Sequence, residues 1–213
     1  MSRFLGPIHH WLYSKINLLE DIEKGILTKV ADPAVQASLE KELVDTYGPY
    51  LNHAPLESLI DQDNIHGWLQ NKIKIAELRQ SRLIEKIVSS AGEDTYKQVA
   101  GVYADFGKKH GGAISTDEAQ SPEQIFKALD NFLLEGMPCD RVNAVTSNTP
   151  DKLEWQKDRC VHEPFWNEGG TNVSHYYDFR EAFSKAFVEA ANPKFTYTFE
   201  LKNGLQYHMI SKK

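Results

Sequence analysis

From Ile8 the apolar positions fall at helical spacing: Ile8, Trp11, Leu12, Ile16, Leu19, Ile22, Ile26, Leu27 and Val30 share one stripe. Pro7 stands just before it, where a first-turn proline is tolerated. A second stripe begins at Ile65 and continues through Trp68, Leu69, Ile73, Ala76, Leu83, Ile84 and Ile87, with Asp63 or Asn64 as its cap. The two stripes open alike. Ile8–Ile16 and Ile65–Ile73 share Ile, His, Trp, Leu, Lys and Ile at the same positions, so both read I-H-x-W-L-x-x-K-I. Each is followed by a shorter helical pattern, over 33–47 and 93–109, ended by Gly48-Pro49 and by Gly111-Gly112. The expectation is two matched helical hairpins, with Trp11 and Trp68 packed between them.

Beyond residue 115 the pattern changes. Ser121-Pro122-Glu123-Gln124 has the form of a capped helix start, and Gly136 stops the helix. Strands are predicted over 139–146 and 153–162, joined by the turn-forming segment Ser147–Asp151. An irregular, aromatic stretch over 163–174 precedes a helix whose stripe is Phe179, Ala182, Phe183, Ala186, Phe187 and Ala190. The last unit is a hairpin around Asn203-Gly204. A three-residue loop, which pairs Phe199 with Tyr207 and sends His208 to the polar face, is the predicted register because it keeps both strands amphipathic; a two-residue loop would set His208 opposite Phe199. The sequence therefore predicts an α+β fold. A helical region, 1–115, packs with an α+β region, 116–213, holding an antiparallel sheet and helix, as one continuous globular unit.

Composition narrows the class. Hydrophobic residues are 41% and charged residues 25% of the 213, and the net charge is −6, with no basic patch that points to nucleic acid. No apolar run reaches the roughly 18 residues that a membrane span needs. The start of the chain lacks the pattern of a signal peptide, and only Cys139 and Cys160 are cysteines. These features place the chain in the cytoplasm.

Chemistry concentrates near the predicted first hairpin. On a strand, Cys160 and His162 share a face, and the symmetric turn sets Cys139 opposite Cys160. Three readings stay open: zinc held by Cys139, Cys160 and His162, a thiolate of Cys160 activated by His162, or two inert cysteines beside a surface histidine. His9 and His66, at matching positions, are either ligands for a metal or haem, or local helix-start residues.

One longer-range order stands out: Trp155, Arg159-Cys160, Phe165-Trp166, Asp178 in a helix ending Ala191-Asn192-Pro193-Lys194, then a strand pair. Over the last third of the chain this resembles the C-terminal half of the L-2-amino-thiazoline-4-carboxylic acid hydrolase-like family. That family looks related to the ligand-binding domains of vinyl reductases and to transport-particle subunits. The resemblance implies an α+β fold, a homodimer, and hydrolysis of a small cyclic amidine or amide, with Cys160 and Asp178 carried over by position. On this reading Cys160 is nucleophile or metal ligand, His162 the base, and the loop at Phe165 and Trp166 covers the substrate. The alternatives are a binding module for a small planar or apolar ligand lined by Trp11 and Trp68, and a dimeric scaffold.

Overall fold

The computed structural model describes residues 5–213. The fold is α+β, with helices towards the N-terminus and a four-stranded antiparallel sheet with helices in the C-terminal half. The chain forms two compact units, and they do not follow the boundary at residue 115 drawn from sequence. One comprises Met1–Gln98, Leu134–Asp140 and His162–Val173; the other comprises Val99–Leu133, Arg141–Val161 and Ser174–Lys213. Among the described residues no helix is long and apolar enough to cross a membrane.

In the helical unit, α1 (Pro7–Lys29) and α4 (Ile65–Ala91) lie against each other. Leu12, Ile16 and Leu19 meet Leu69, Ile73 and Ala76 in a core of nearly inaccessible side chains. Asn64 caps α4, its Oδ1 accepting the Gly67 N–H at 3.1 Å. The tryptophans of the repeated motif lie at the edge of this core, and Trp68 packs against it beside Tyr13, with ring centroids 6.3 Å apart. Trp11 and Trp68 are half-buried, and each receives the lysine one turn later: Lys15 Nζ lies 3.3 Å from the Trp11 ring centroid, and Lys72 Nζ 5.3 Å from that of Trp68. The helical period explains the correction. The leucine after each tryptophan faces the neighbouring helix, which leaves the indole at the flank, where a cation can cover it. The matching is visible in α1 and α4. It does not extend to the helices that follow, because α2 (Gln36–Tyr47) packs on α4, whereas α5 (Glu93–Gly111) passes at Val99 into the other unit.

Charge is buried in this unit and compensated. Arg79 donates from Nε to both oxygens of Glu23, at 2.8 and 2.9 Å, from a terminal nitrogen to Glu20 at 2.8 Å, and from the other to the Gly48 carbonyl at 3.0 Å. The Tyr50 hydroxyl donates to Glu23 and the Leu51 amide to Glu20. The segment after α2 is thereby tied to α1 and α4. Downstream, the stretch predicted as a loop forms a short helix, α7 (Glu163–Glu168), which packs on α4. Ser81 donates to the Trp166 carbonyl at 2.7 Å. Trp166 is fully buried, and Phe165 packs against the α1–α4 core.

In the second unit the sheet order is β1-β2-β4-β3, formed by Ala144–Asn148, Lys152–Lys157, Leu205–Lys212 and Phe195–Lys202 respectively. The helices α6 (Pro122–Asp130) and α8 (Val173–Ala191) belong to it. α6 begins as predicted, with the Ser121 hydroxyl accepting from the Gln124 amide and the Gln124 side chain returning to the Ser121 amide. Both strands of the first hairpin are shorter than predicted, and a bulge lies between Val145 and Ser147. Cys139 sits in a 3-10 turn at Pro138–Asp140, and Cys160 and His162 lie beyond the end of β2. The ladder therefore does not set Cys139 opposite Cys160.

The second hairpin adopts the register that sequence reasoning set aside. Asn203 and Gly204, at φ 52° and 78°, make a two-residue turn, and Phe199 pairs with His208. Turn geometry outweighs the amphipathic pattern. The consequence is that Gln206 and His208 point to the buried face, together with Leu153, Trp155 and Lys157 of β2 and Tyr197 of β3.

Candidate functional site on the inner face of the sheet

The buried face of the sheet ends in polar groups. Leu153, Trp155 and Lys157 alternate inward along β2, and Lys157 is only 3% exposed. Burial pulls its amine down to about 7, against the opposing pull of the neighbouring Cys160 and Asp130 charges. Three residues further on, Cys160 is half-buried. The Tyr177 hydroxyl, from the second turn of α8, donates to Cys160 Sγ at 2.7 Å. Tyr177 itself is buried and stacks on Phe199, with centroids 5.7 Å apart, so the hydroxyl is held in place by packing.

Across the ladder, Lys157 pairs with Gln206 and Trp155 with His208. The His208 ring lies flat on Trp155, with centroids 5.0 Å apart and planes 7° from parallel, and also contacts Phe199. The Tyr197 hydroxyl lies 2.7 Å from His208 Nδ1. A phenol donating there leaves the proton of the neutral ring on Nε2. Burial keeps this imidazole neutral, far below its ordinary pKa, and the charges of Lys157 and Arg180 push the same way. Neither His208 Nε2 nor Gln206 Oε1 has a hydrogen-bond partner in the protein, although both are buried. Arg180, also buried, donates to the Tyr176 hydroxyl at 3.0 Å.

The residues predicted from sequence are distributed differently. His162 is in the helical unit, fully buried, with Nδ1 2.9 Å from Glu77 Oε1 and Nε2 3.6 Å from Glu135 Oε2. Both ring nitrogens face carboxylates. β2 ends before Cys160, so the shared strand face that made His162 a base for Cys160 does not form. Asp178 is exposed on α8. Among the described residues no group of three or more His, Cys, Asp or Glu side chains is disposed to hold a metal ion.

His9 and His66 do approach each other, with ring centroids 6.1 Å apart. They line a recess of about 150 Å³ with Leu12, Leu69 and Cys139. That is smaller than the roughly 300–1,000 Å³ of ordinary ligand sites, and haem does not fit it. His9 Nδ1 accepts the Gly6 amide at 3.0 Å, the helix-start role, which puts the proton of the neutral ring on Nε2 and leaves no lone pair for a metal.

Sequence reasoning missed Lys157, Tyr177 and Arg180. Lys157 carried a signal: it occupies the inward phase that Leu153 and Trp155 define, where a lysine is out of place. No protein-family model matches the chain, and the comparisons with curated proteins and with solved structures find no match either.

Proposed function

We propose that this chain is a thiol-dependent hydrolase of a small cyclic amidine or amide, with Cys160 as nucleophile and Lys157, in place of His162, as its base. The observation that carries the reading is the Tyr177 hydroxyl donating to Cys160 Sγ beside a buried lysine. A lysine pulled to about 7 holds a large neutral fraction at neutral pH and accepts the thiol proton. The sulfur then attacks the amide or amidine carbon, forming a C–S bond as the C=O π pair of an amide moves onto oxygen, or the C=N π pair of an amidine onto nitrogen. Collapse of this tetrahedral adduct restores the double bond and breaks the ring C–N bond, and the Lys157 ammonium gives its proton to the departing nitrogen. Water hydrolyses the resulting thioester, or thioimidate from an amidine, and regenerates the thiol. Tyr177 orients the sulfur and stabilises its charge through the hydrogen bond.

Cys139 provides an internal control, because it is the more exposed of the two cysteines. With limiting iodoacetamide at pH 7, Cys160 is expected to alkylate ahead of Cys139, and Lys157→Met to reverse that order. Cys160→Ser is expected to reduce hydrolysis of a 2-aminothiazoline carboxylate to the uncatalysed rate. Faster alkylation of Cys139 in the unmodified chain, or turnover retained by Cys160→Ser, sinks the assignment.

A further inference from the structure

The face of the sheet opposite Lys157 carries a groove of about 480 Å³, within the range of ordinary ligand sites. Within this unit the helices pack on the other side: Phe126 of α6 lies against Trp155, and Tyr177 of α8 stacks on Phe199. Alternation along the strands leaves Glu154 and Gln156 of β2, Tyr207 and Met209 of β4, and Thr198 and Glu200 of β3 to line the groove. The ladder arranges them as a grid. Tyr207 lies between its partners Gln156 and Glu200, and Met209 between Glu154 and Thr198. Neighbouring strands about 4.8 Å apart set the two polar columns about 10 Å from each other, across a floor of Tyr207 and Met209.

The charges in the walls are matched within the chain. Lys152 Nζ lies 3.1 Å from Glu154 Oε1, and Lys202 pairs with Glu200. These four groups sum to zero, so the groove exerts no net pull on an ion. A carboxylate has about four acceptor positions, and one lysine does not fill them. An apolar floor with acceptors along both sides, and the amide donor of Gln156 on one, fits a flat neutral molecule with an apolar face and a hydroxylated rim. A pyranose whose hydroxyls and linkage are all equatorial has that form: C–H bonds line its faces, and hydroxyls that both donate and accept surround its edge. We infer that this groove binds a short, neutral, β-linked glucose-type oligosaccharide, with a sugar ring lying on Tyr207 and its hydroxyls bonded to Gln156, Glu154 and Glu200. This binding goes beyond the hydrolysis proposed above and uses neither Lys157 nor Cys160.

The test is amide chemical-shift mapping on the full chain, titrated with cellotriose. Saturable shifts are expected at the amides of the groove residues on β2, β3 and β4, with magnetisation passing from the protein to the C–H protons of the sugar. Methyl β-galactoside differs from methyl β-glucoside by one axial hydroxyl, which lifts the ring off the floor. It should bind about tenfold more weakly, the order of one aromatic stacking contact. Tyr207→Val keeps a strand-favouring residue but removes the ring, and should weaken cellotriose by a similar factor. No shift of these amides at about 10 mM cellotriose, tenfold above a millimolar Kd, overturns the site, and the unmodified chain reads this whether or not the variant folds. Equal binding of the two glycosides overturns the stacking on Tyr207. Larger shifts of the same amides with spermidine or citrate overturn the neutral ligand class. Shifts that follow protein concentration alone assign the face to a second copy of the chain and overturn the sugar. Failure of thiazoline hydrolysis leaves all of these readouts intact, so the two proposals fail separately.

Discussion

Arg79 in the helical unit and Lys157 in the sheet unit are both nearly inaccessible cations. Arg79 is surrounded by oxygens: two carboxylates and a carbonyl accept from its guanidinium, and those carboxylates take further donors from Tyr50 and Leu51. Lys157 instead shares its surroundings with an imidazole N–H and an amide oxygen that find no partner in the protein. Chemistry explains part of the difference. Guanidinium is a rigid fork that satisfies several acceptors at once and keeps its charge, whereas an ammonium is a point charge that gives up its proton when desolvated. The first network joins elements and is complete in itself. The second leaves a buried oxygen of Gln206 and a buried ring nitrogen of His208 without a partner in the protein.

The contrast breaks most visibly at Arg79. Arg79→Met would leave Glu20 and Glu23 buried without their cation, an arrangement that costs about 3–5 kcal/mol. Urea unfolding should show that loss. A cost below about 1 kcal/mol would mean that the carboxylates are not held by Arg79. Lys157→Met, by contrast, replaces a desolvated amine with an apolar side chain of similar length. It should leave stability at pH 7 within about 1 kcal/mol of the unmodified chain or raise it, while abolishing the chemistry.

A smaller effect is expected where the sheet unit depends on close helix packing. A Cβ built on Gly107 would lie 2.1 Å from the Phe183 carbonyl oxygen, and one on Gly111 equally close to that of Phe187. Two glycines one turn apart thus let α5 lie directly on the backbone of α8, the helix that carries Tyr177 and Arg180. Gly107→Ala gains up to about 1 kcal/mol of helix propensity, but a contact with backbone cannot be relieved by a side-chain rotation. The net cost should be about 1–2 kcal/mol, and the order of Cys160 and Cys139 alkylation should weaken with it. Unchanged stability would show that the helices separate freely.

Much of this architecture was legible in the sequence because it follows from local rules. The period of the apolar stripes gave α1 and α4, and Ser121-Pro122-Glu123-Gln124 gave the α6 cap. The candidate site was less legible. Its placement depended on the register of two hairpins, and register follows from turn geometry and bulges more than from alternation. The bulge at Val145–Ser147 and the early end of β2 removed the Cys139–Cys160 pairing. The two-residue turn at Asn203-Gly204 carried His208 inward. Partners such as Glu77 for His162 lie far away in sequence, and nothing local announced them.

The smallest effect is also the one that sets the two buried clusters directly against each other. Burial, with the Glu20 charge adding to it, pushes the Glu23 carboxyl up to about 7 against the pull of Arg79; one cation cannot fully neutralise two carboxylates. In the unfolded chain a glutamate titrates near 4.3. Between these values the folded chain holds a proton that the unfolded chain has lost, so this contribution to stability falls as pH rises from about 4.3 to 7. Lys157 runs the other way. Its folded value is about 7, and an unfolded lysine titrates near 10.4. Between these the unfolded chain holds the extra proton, so stability rises from pH 7 towards 10. Each limb is bounded at about 1.4 kcal/mol per pH unit, the limit for one proton. Together they predict a trough in unfolding free energy around neutral pH, with Glu23→Gln flattening the acid limb and Lys157→Met the alkaline one. A profile in which Lys157→Met leaves the alkaline limb unchanged would mean that the amine keeps its proton when folded, and with that the base of the proposed hydrolysis would be lost.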